Sequence, residues 1–324
     1  MLFDDSGQLR FISHRVHAFP RGIMTTQALR FAIATDIHQD IMHDGPQRLQ
    51  TFLDAAVQAQ VDMVVQLGDF CQPTESNRTF LAQWEALDLP RYSVLGNHDM
   101  DGGFAREDAV AYMSMPGRYY SFDQRGWHCI VLDGNDPSDP PVDGYARAVA
   151  ADQRAWLAAD LQSTDLPVLL FIHQSLDRGD VDGDQAVLDL LANHNRAVGR
   201  RQVIAVFSGH HHLDYAACID DIWHVQINSM SNYWMGDPFK HIRYSDAIDA
   251  EFPYIKYTAP YRDPLYAIVC VEPDGTLEIE GVESEWVGAT PDALGYLKAH
   301  GSQLPLAGDS LRPGIASRRL SFPQ

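Results

Sequence analysis

The stretch that decides the fold is FAIATDIH, residues 31–38. It is a short apolar run that passes directly into Asp36 and His38, two side chains able to bind a metal ion. An apolar run without strict alternation is typical of a strand that is covered on both faces of a sheet. We therefore expect a buried strand that carries polar ligands at its carboxyl end.

The same arrangement recurs further along the chain. Apolar runs lead into ligand-type residues at MVVQL (63–67) before Gly68-Asp69, YSVL (92–95) before Gly96-Asn97-His98-Asp99, VLLFI (168–172) before His173, and VIAVF (203–207) before Ser208-Gly209-His210-His211-His212. Each piece alone is common, and a turn or a solvated surface would explain it. In open α/β sheets, sites form at the carboxyl ends of strands. All of these pieces together therefore predict one metal-binding crevice.

Apolar runs alternate with helix-like segments between residues 30 and 230. Two more strands are predicted at 129–132 and 224–227, and helices at 46–60, 78–87, 103–113, 152–161 and 184–198. Strands that alternate with helices favour βαβ crossovers and a layered α/β sandwich.

The C-terminal third has a different composition. Residues 233–262 are rich in Tyr, Trp and Phe without clean periodicity, which is compatible with an ordered loop region, a lid or a homo-oligomer contact. Residues 265–284 read as a hairpin around Pro273-Asp274-Gly275. We expect residues 1–29 to form an N-terminal strand or edge extension, 30–290 a single domain, and 291–324 a tail.

The charge of the chain limits its partners. The 324 residues carry a formal net charge of −20, and the lysines are Lys240, Lys256 and Lys298. Such a surface repels nucleic-acid polymers and anionic membranes, so we expect neither as a partner. An anionic substrate would need a local positive source, and bound metal ions would supply it.

Neither export nor disulfide bonding is indicated. The first residues lack a basic start and a long apolar run, and no stretch reaches the roughly 20 apolar residues that span a bilayer. The cysteines, at 71, 129, 218 and 270, lie far apart and read as thiols. These features predict a cytoplasmic protein.

The motif order D-x-H, G-D, G-N-H-D, H and G-H-x-H resembles that of the calcineurin-like metallophosphoesterase superfamily, in particular its D-x-H branch of bacterial phosphodiesterases. The resemblance covers about residues 30–230. It implies a four-layer α/β-β/α sandwich of two mixed β-sheets flanked by helices. It also implies two divalent transition metal ions, Mn, Fe, Zn or Co, at one edge.

By the same resemblance, the first metal would be held by Asp36, His38 and His212, the second by Asn97, His173 and His210, and Asp69 would bridge both. A hydroxide between the metals would attack phosphorus in line, and His98 would act at the leaving-group oxygen. Asp99 is expected to fix the surrounding backbone instead of binding metal. His211 is left out because it lies between alternating neighbours and should point away.

One position departs from the protein-phosphatase pattern. Where that branch has an acidic residue to pair with the histidine after the asparagine, this chain has Gln72. Gln72 cannot raise the pKa of His98 as a carboxylate would, which argues against a protein serine/threonine phosphatase. The resemblance implies hydrolysis of a small phosphorylated substrate, most simply a nucleotide-type or glycerophospho-type diester. A phosphomonoesterase, a nucleotide diphosphatase and a non-catalytic scaffold remain alternatives.

Overall fold

The computed structural model describes residues 26–140, 143–179, 181–300 and 311–322. The strands, in chain order, are β1 (Leu29–Ala34), β2 (Met63–Gln66), β3 (Arg91–Ser93), β4 (Tyr120–Gln124), β5 (Trp127–Val131), β6 (Val168–Phe171), β7 (Val203–Ser208), β8 (Tyr215–Ile219), β9 (Ile222–Gln226), β10 (Asn232–Trp234), β11 (Thr258–Pro260), β12 (Ala267–Val271), β13 (Leu277–Gly281) and β14 (Arg318–Leu320). The α-helices are α1 (Gly45–Gln58), α2 (Arg78–Glu85), α3 (Arg106–Tyr112), α4 (Ala151–Gln162), α5 (Asp184–Val198), α6 (Asp246–Glu251) and α7 (Tyr296–His300).

Within the described residues, two large mixed sheets form the centre of the molecule. The first has the order β14-β13-β12-β1-β2-β3, and the second has the order β4-β5-β6-β7-β9-β8. In the first sheet, β1, β2 and β3 run parallel. In the second, β5, β6, β7 and β9 run parallel. The carboxyl ends of these parallel strands lie at one edge of the sandwich, as the motif positions predict.

Three apolar clusters define the layers. The central cluster lies between the two sheets and includes Phe31, Phe171 and Phe207, whose rings meet at centroid distances of 5.4 to 5.8 Å. A second cluster packs α1, α2 and α3 on the outer face of the first sheet. A third packs α4 and α5 on the outer face of the second. The predicted four-layer α/β-β/α sandwich is therefore confirmed.

Most element boundaries agree with the prediction to within a few residues. The helix predicted at 103–113 begins only at Arg106, because Gly102 and Gly103 adopt φ angles of +82° and +87°, outside the helical region. The hairpin at 265–284 is present as β12 and β13. The tail contributes β14, which pairs with β13 at the end of the first sheet.

The other predicted segments lie only partly within the described residues. The extension predicted at 1–29 lies mostly outside the described residues, as do 301–310 of the tail. The segment 233–262 contains β10 and β11, which form a small two-stranded sheet of their own, and α6. No described helix is both long and apolar enough to cross a membrane.

Candidate metal centre

Two groups of ligand-type side chains lie at the carboxyl edge of the parallel strands. In each group, the ligand atoms all lie within 4.8 Å of one another. The groups are Asp36, His38 and His212, and Asp69, His173 and His210. These are six of the seven predicted ligands, divided as the resemblance implied, with Asp69 in the second group.

The two groups adjoin each other. In the first, His212 Nε2 is 3.2 Å from Asp36 Oδ1 and 3.1 Å from His38 Nε2. In the second, His173 Nε2 is 3.2 Å from Asp69 Oδ2. The link between them is short, because His173 Nε2 is 3.9 Å from Asp36 Oδ1 and His38 Nε2 is 3.9 Å from Asp69 Oδ2. Such proximity suits two metal ions that share ligands.

The backbone at this edge is unusual. Five of the predicted ligands adopt left-handed φ angles between +52° and +72°: Asp36, His38, Asp69, His210 and His212. This conformation costs free energy in residues other than glycine, and it concentrates where function requires it. Here it turns the chain back at each strand end, so that the side chains point into the crevice.

Two of the histidines are held in the tautomer that a metal needs. His173 Nδ1 lies 2.7 Å from the carbonyl oxygen of Leu67, and His212 Nδ1 lies 2.6 Å from that of Asn232. Because a carbonyl oxygen can only accept, Nδ1 must carry the hydrogen, and the lone pair is left on Nε2. Nε2 is the nitrogen that faces the carboxylates in both residues.

The oxygen ligands are oriented in a similar way. Asp36 Oδ2 accepts from the Thr35 hydroxyl at 2.6 Å and from the His210 amide at 3.0 Å, so that Oδ1 is turned toward the histidines. Asp69 Oδ1 accepts from the His98 amide at 2.8 Å. Asn97 Oδ1 is buried and has no hydrogen-bond partner. A buried amide oxygen without a partner is costly, and a cation would satisfy it.

The protonation states of His38, His210 and Asp36 fit metal binding, whereas burial is outweighed at His173 by the charges of Asp69 and Asp36, which raise the pKa of His173 to about 9, so that a metal ion would have to displace a proton there. Burial lowers the pKa of His38 and of His210 to about 3, which keeps both imidazoles neutral at physiological pH. Burial alone would raise the pKa of Asp36, but His212 and His173 outweigh it and hold that pKa below its usual range. Neutral imidazoles beside ionised carboxylates are the ligand forms that divalent metals bind.

His98 has a carboxylate partner that the sequence analysis did not identify. Its Nδ1 lies 2.7 Å from Asp101 Oδ2, and the hydroxyl of Tyr145 lies 3.1 Å from the same nitrogen. That hydroxyl also donates to Asp101 Oδ1 at 2.8 Å. Although burial opposes it, the negative charges of Asp69 and Asp101 raise the pKa of His98 to about 9.

Asp99 binds backbone groups, as expected. Its Oδ1 accepts from the amides of Phe70 and Cys71 at 2.7 and 3.1 Å, and its Oδ2 accepts from the amide of Gly96 at 2.8 Å. Asp99 therefore ties the loop after β2 to the loop after β3. This contact holds Asp69 and Asn97 in register with each other.

The ligands open into a cavity of 880 Å³. Its lining includes ligands from both groups, together with His98, Asp101 and Tyr145. Residues of the 233–262 segment complete the wall: Tyr233, Trp234 and Tyr254. This volume lies within the range typical of small-molecule sites.

A calcineurin-like phosphoesterase family model matches residues 29–214, which contain every predicted ligand. The chain belongs to this family. The enzyme is a metal-dependent phosphoric ester hydrolase with two candidate metal-binding groups. No curated protein matches the sequence.

Two solved structures are similar to this chain. A dimetal phosphatase from Danio rerio is 16% identical, with 80% of this chain and 98% of that chain covered and a TM-score of 0.54. GAP50, the anchor in the inner membrane complex of Plasmodium, is 15% identical, with 87% and 96% covered and a TM-score of 0.47. At such identities, the first shows the fold of this phosphoesterase and nothing about its substrate.

Two further residues considered from the sequence, Gln72 and His211, lie at the cavity of the phosphoesterase. Gln72 lines the cavity, and its backbone amide donates to Asp40. The carboxylate beside His98 comes from Asp101 instead. Gln72 itself does not pair with His98, as the sequence predicts, and the carboxylate partner is supplied from another position. His211 lies outside both ligand groups, yet it does line the cavity. The catalytic role of His98 and a dimer contact through 233–262 stay predictions.

Sequence reasoning missed two residues at this site. Asp101 could have been found, since a carboxylate that follows a histidine by three positions returns to it in a tight helical turn. That turn is present as the 3₁₀ segment His98–Met100. Tyr145 had no such signal, because it reaches His98 from a loop that is distant in the sequence.

Proposed function

We propose that this phosphoesterase hydrolyses phosphodiesters of small molecules. The observation that carries the proposal is the charge of the cavity wall. Besides the metal ligands, the wall contains two carboxylates, Asp40 and Asp101, and its described residues include no Lys or Arg. Positive charge in the cavity would therefore come from the metal ions and from His98.

This arrangement favours a substrate with little negative charge. A phosphodiester carries one negative charge, whereas a phosphomonoester carries between one and a half and two at neutral pH. A second charge, or a further phosphate as in a nucleoside diphosphate, would face Asp40, because His98, the cationic side chain of the wall, is already paired with Asp101. At an effective dielectric constant of about 20, such a repulsion costs on the order of 1–2 kcal/mol at separations of roughly 8–16 Å.

The metal ions and His98 would have different roles in the reaction. When bound, two divalent ions would polarise the phosphoryl oxygens and make water a better nucleophile. The imidazole of His98 would place a proton near the leaving-group oxygen. Asp101 and Tyr145 hold His98 Nδ1, so that Nε2 is the nitrogen free to act.

The long-range charge of the protein points the same way. With a net charge of −20, the surface disfavours a polyanion, so we infer a small substrate in place of a nucleic-acid polymer. A cation-poor cavity wall adds to that disfavour. A phosphomonoesterase or nucleotide diphosphatase would use the same ligands, and the assay below separates the phosphodiesterase from the phosphomonoesterase.

The test compares bis(p-nitrophenyl) phosphate with p-nitrophenyl phosphate in the presence of Mn²⁺. We expect kcat/KM to be higher for the diester by about tenfold or more, which corresponds to the charge cost above. An Asp69→Asn variant should lose both activities and thereby exclude a contaminating enzyme. Equal or faster turnover of the monoester would overturn the diester proposal. Absence of bound metal and of both activities would favour a scaffold.

A further inference from the structure

The exposed aromatic side chains of the protein are concentrated at one place. Among the described residues, the large hydrophobic side chains that are exposed include three aromatic ones: Tyr145, Trp234 and Tyr254, with exposed fractions of 44%, 44% and 58%. All three line the 880 Å³ cavity. Exposed aromatic rings that converge on a cavity indicate a binding surface for a ligand.

Two of these rings, those of Trp234 and Tyr254, contact a third aromatic ring, that of Tyr257. The ring centroid of Tyr257 lies 6.1 Å from that of Trp234 and 6.2 Å from that of Tyr254. Trp234 also ends β10, where it pairs with Thr258 of β11. Because the rings are held before a ligand arrives, little side-chain entropy is lost on binding.

Strand β10 connects the aromatic surface to the metal ligands. The carbonyl oxygen of Asn232 accepts from His212 Nδ1 at 2.6 Å, which ties β10 to the first ligand group. Trp234 follows Asn232 by two residues in the same strand, so its backbone lies about 7 Å further along. A group separated from phosphorus by a short linker would reach this ring.

One carboxylate, Asp101, stands beside one of the aromatic rings. Asp101 Oδ1 accepts from the Tyr145 hydroxyl at 2.8 Å, and this carboxylate lines the cavity together with Asp40. Burial raises the pKa of Tyr145, and its hydrogen bond to Asp101 adds to this effect.

We propose that Trp234, Tyr254 and Tyr145, with Asp101 beside them, form a subsite for a quaternary ammonium group of the choline type on the substrate. The proposal rests on the proposed phosphodiesterase function and names the substrate class: a zwitterionic phosphodiester with a cationic head group. The phosphate would lie at the metal ligands and the ammonium group against the aromatic rings.

Two independent features favour a cation over a neutral planar ring. Aromatic faces attract quaternary ammonium groups, and nearby carboxylates strengthen that attraction, whereas stacking of a neutral ring makes no use of Asp40 and Asp101. A zwitterion also has no net charge, so the strongly acidic surface does not repel it at long range. A simple anionic substrate would be repelled.

The test uses two chromogenic diesters that differ in one atom. These are p-nitrophenyl phosphorylcholine and p-nitrophenyl 3,3-dimethylbutyl phosphate, in which carbon replaces the ammonium nitrogen. We expect kcat/KM to favour the choline ester by about 3- to 30-fold at low salt. Trp234→Leu, which keeps apolar area but removes the aromatic face, should reduce this ratio toward 1. Tyr254→Leu should act in the same direction.

Ile242→Ala is the matched control, because Ile242 lies in the same segment, is 64% exposed and does not line the cavity. It should leave the ratio unchanged. Equal kcat/KM for the two esters in the wild-type protein would overturn the subsite, as would equal losses for both esters in Trp234→Leu.

Calorimetry separates this proposal from the proposed function. If the protein cleaves neither ester, the phosphodiesterase proposal fails, and binding of choline itself still tests the subsite. Choline should bind the wild-type protein more tightly than 3,3-dimethylbutanol and more tightly than it binds Trp234→Leu. Binding of adenosine without binding of choline would overturn the subsite and indicate a neutral planar ring instead.

Discussion

Replacement of Asp101 by Asn tests the role assigned to the pair it forms with His98. The two side chains are 2.7 Å apart and are 31% and 32% exposed, so their bond is charge-assisted but partly screened by water. A hydrogen bond to a charged group contributes about 1.5–3 kcal/mol, and partial exposure places this one near the lower limit. Asp101→Asn should therefore lower kcat by about tenfold.

The loss should depend on the leaving group. A p-nitrophenolate ion departs without help, whereas an alkoxide needs a proton, so the effect of Asp101→Asn should be larger for an alkyl leaving group. Metal content, measured by mass spectrometry, should be unchanged, because Asp101 is outside both ligand groups. Asp221→Asn is the control: this residue is 59% exposed, lies at the β8–β9 turn, and has a φ of +59° that Asn tolerates.

Two results would refute this reasoning. If Asp101→Asn slows p-nitrophenyl and alkyl leaving groups equally, the residue does not act through proton transfer by His98. If the variant loses metal, Asp101 supports the ligands and not the imidazole.

Three further changes follow from the structure. Asp69→Asn should lower metal occupancy in both ligand groups, because the carboxylate lies close to both, and normal metal content would contradict a shared role. Gly96→Ala should destabilise the protein by about 1–3 kcal/mol in denaturant unfolding, because its Cβ would lie 2.1 Å from the Asp69 nitrogen. His128 is buried between Asp123 and Asp160, which overcome the opposing effect of burial and raise its pKa to about 9. The stabilisation from protonated His128 should thus be complete below about pH 6.5 and disappear as the pH rises through 9. The free energy of unfolding should change by about 2 kcal/mol over this range, after allowance for the half-exposed Asp123. His128→Gln should remove that dependence, and an unchanged pH profile of unfolding would argue against it.

Much of the site could be read from local sequence. Each ligand follows an apolar run, and apolar runs without alternation form buried parallel strands, whose carboxyl ends meet at one edge. That rule alone brings together Asp36, Asp69 and His173, which are far apart in the chain. The fold class follows from the same alternation of strands and helices.

The sequence by itself therefore determined the layered fold and the edge of the sheet where the ligand-type residues assemble, because these depend on periodicity and on residues adjacent to strand ends. Only the tertiary structure decided what surrounds the metals. Tyr145 and the aromatic wall at Trp234 and Tyr254 reach the cavity from loops and short strands without periodicity. The positions of such segments depend on packing against the finished domain, and no local pattern encodes that packing.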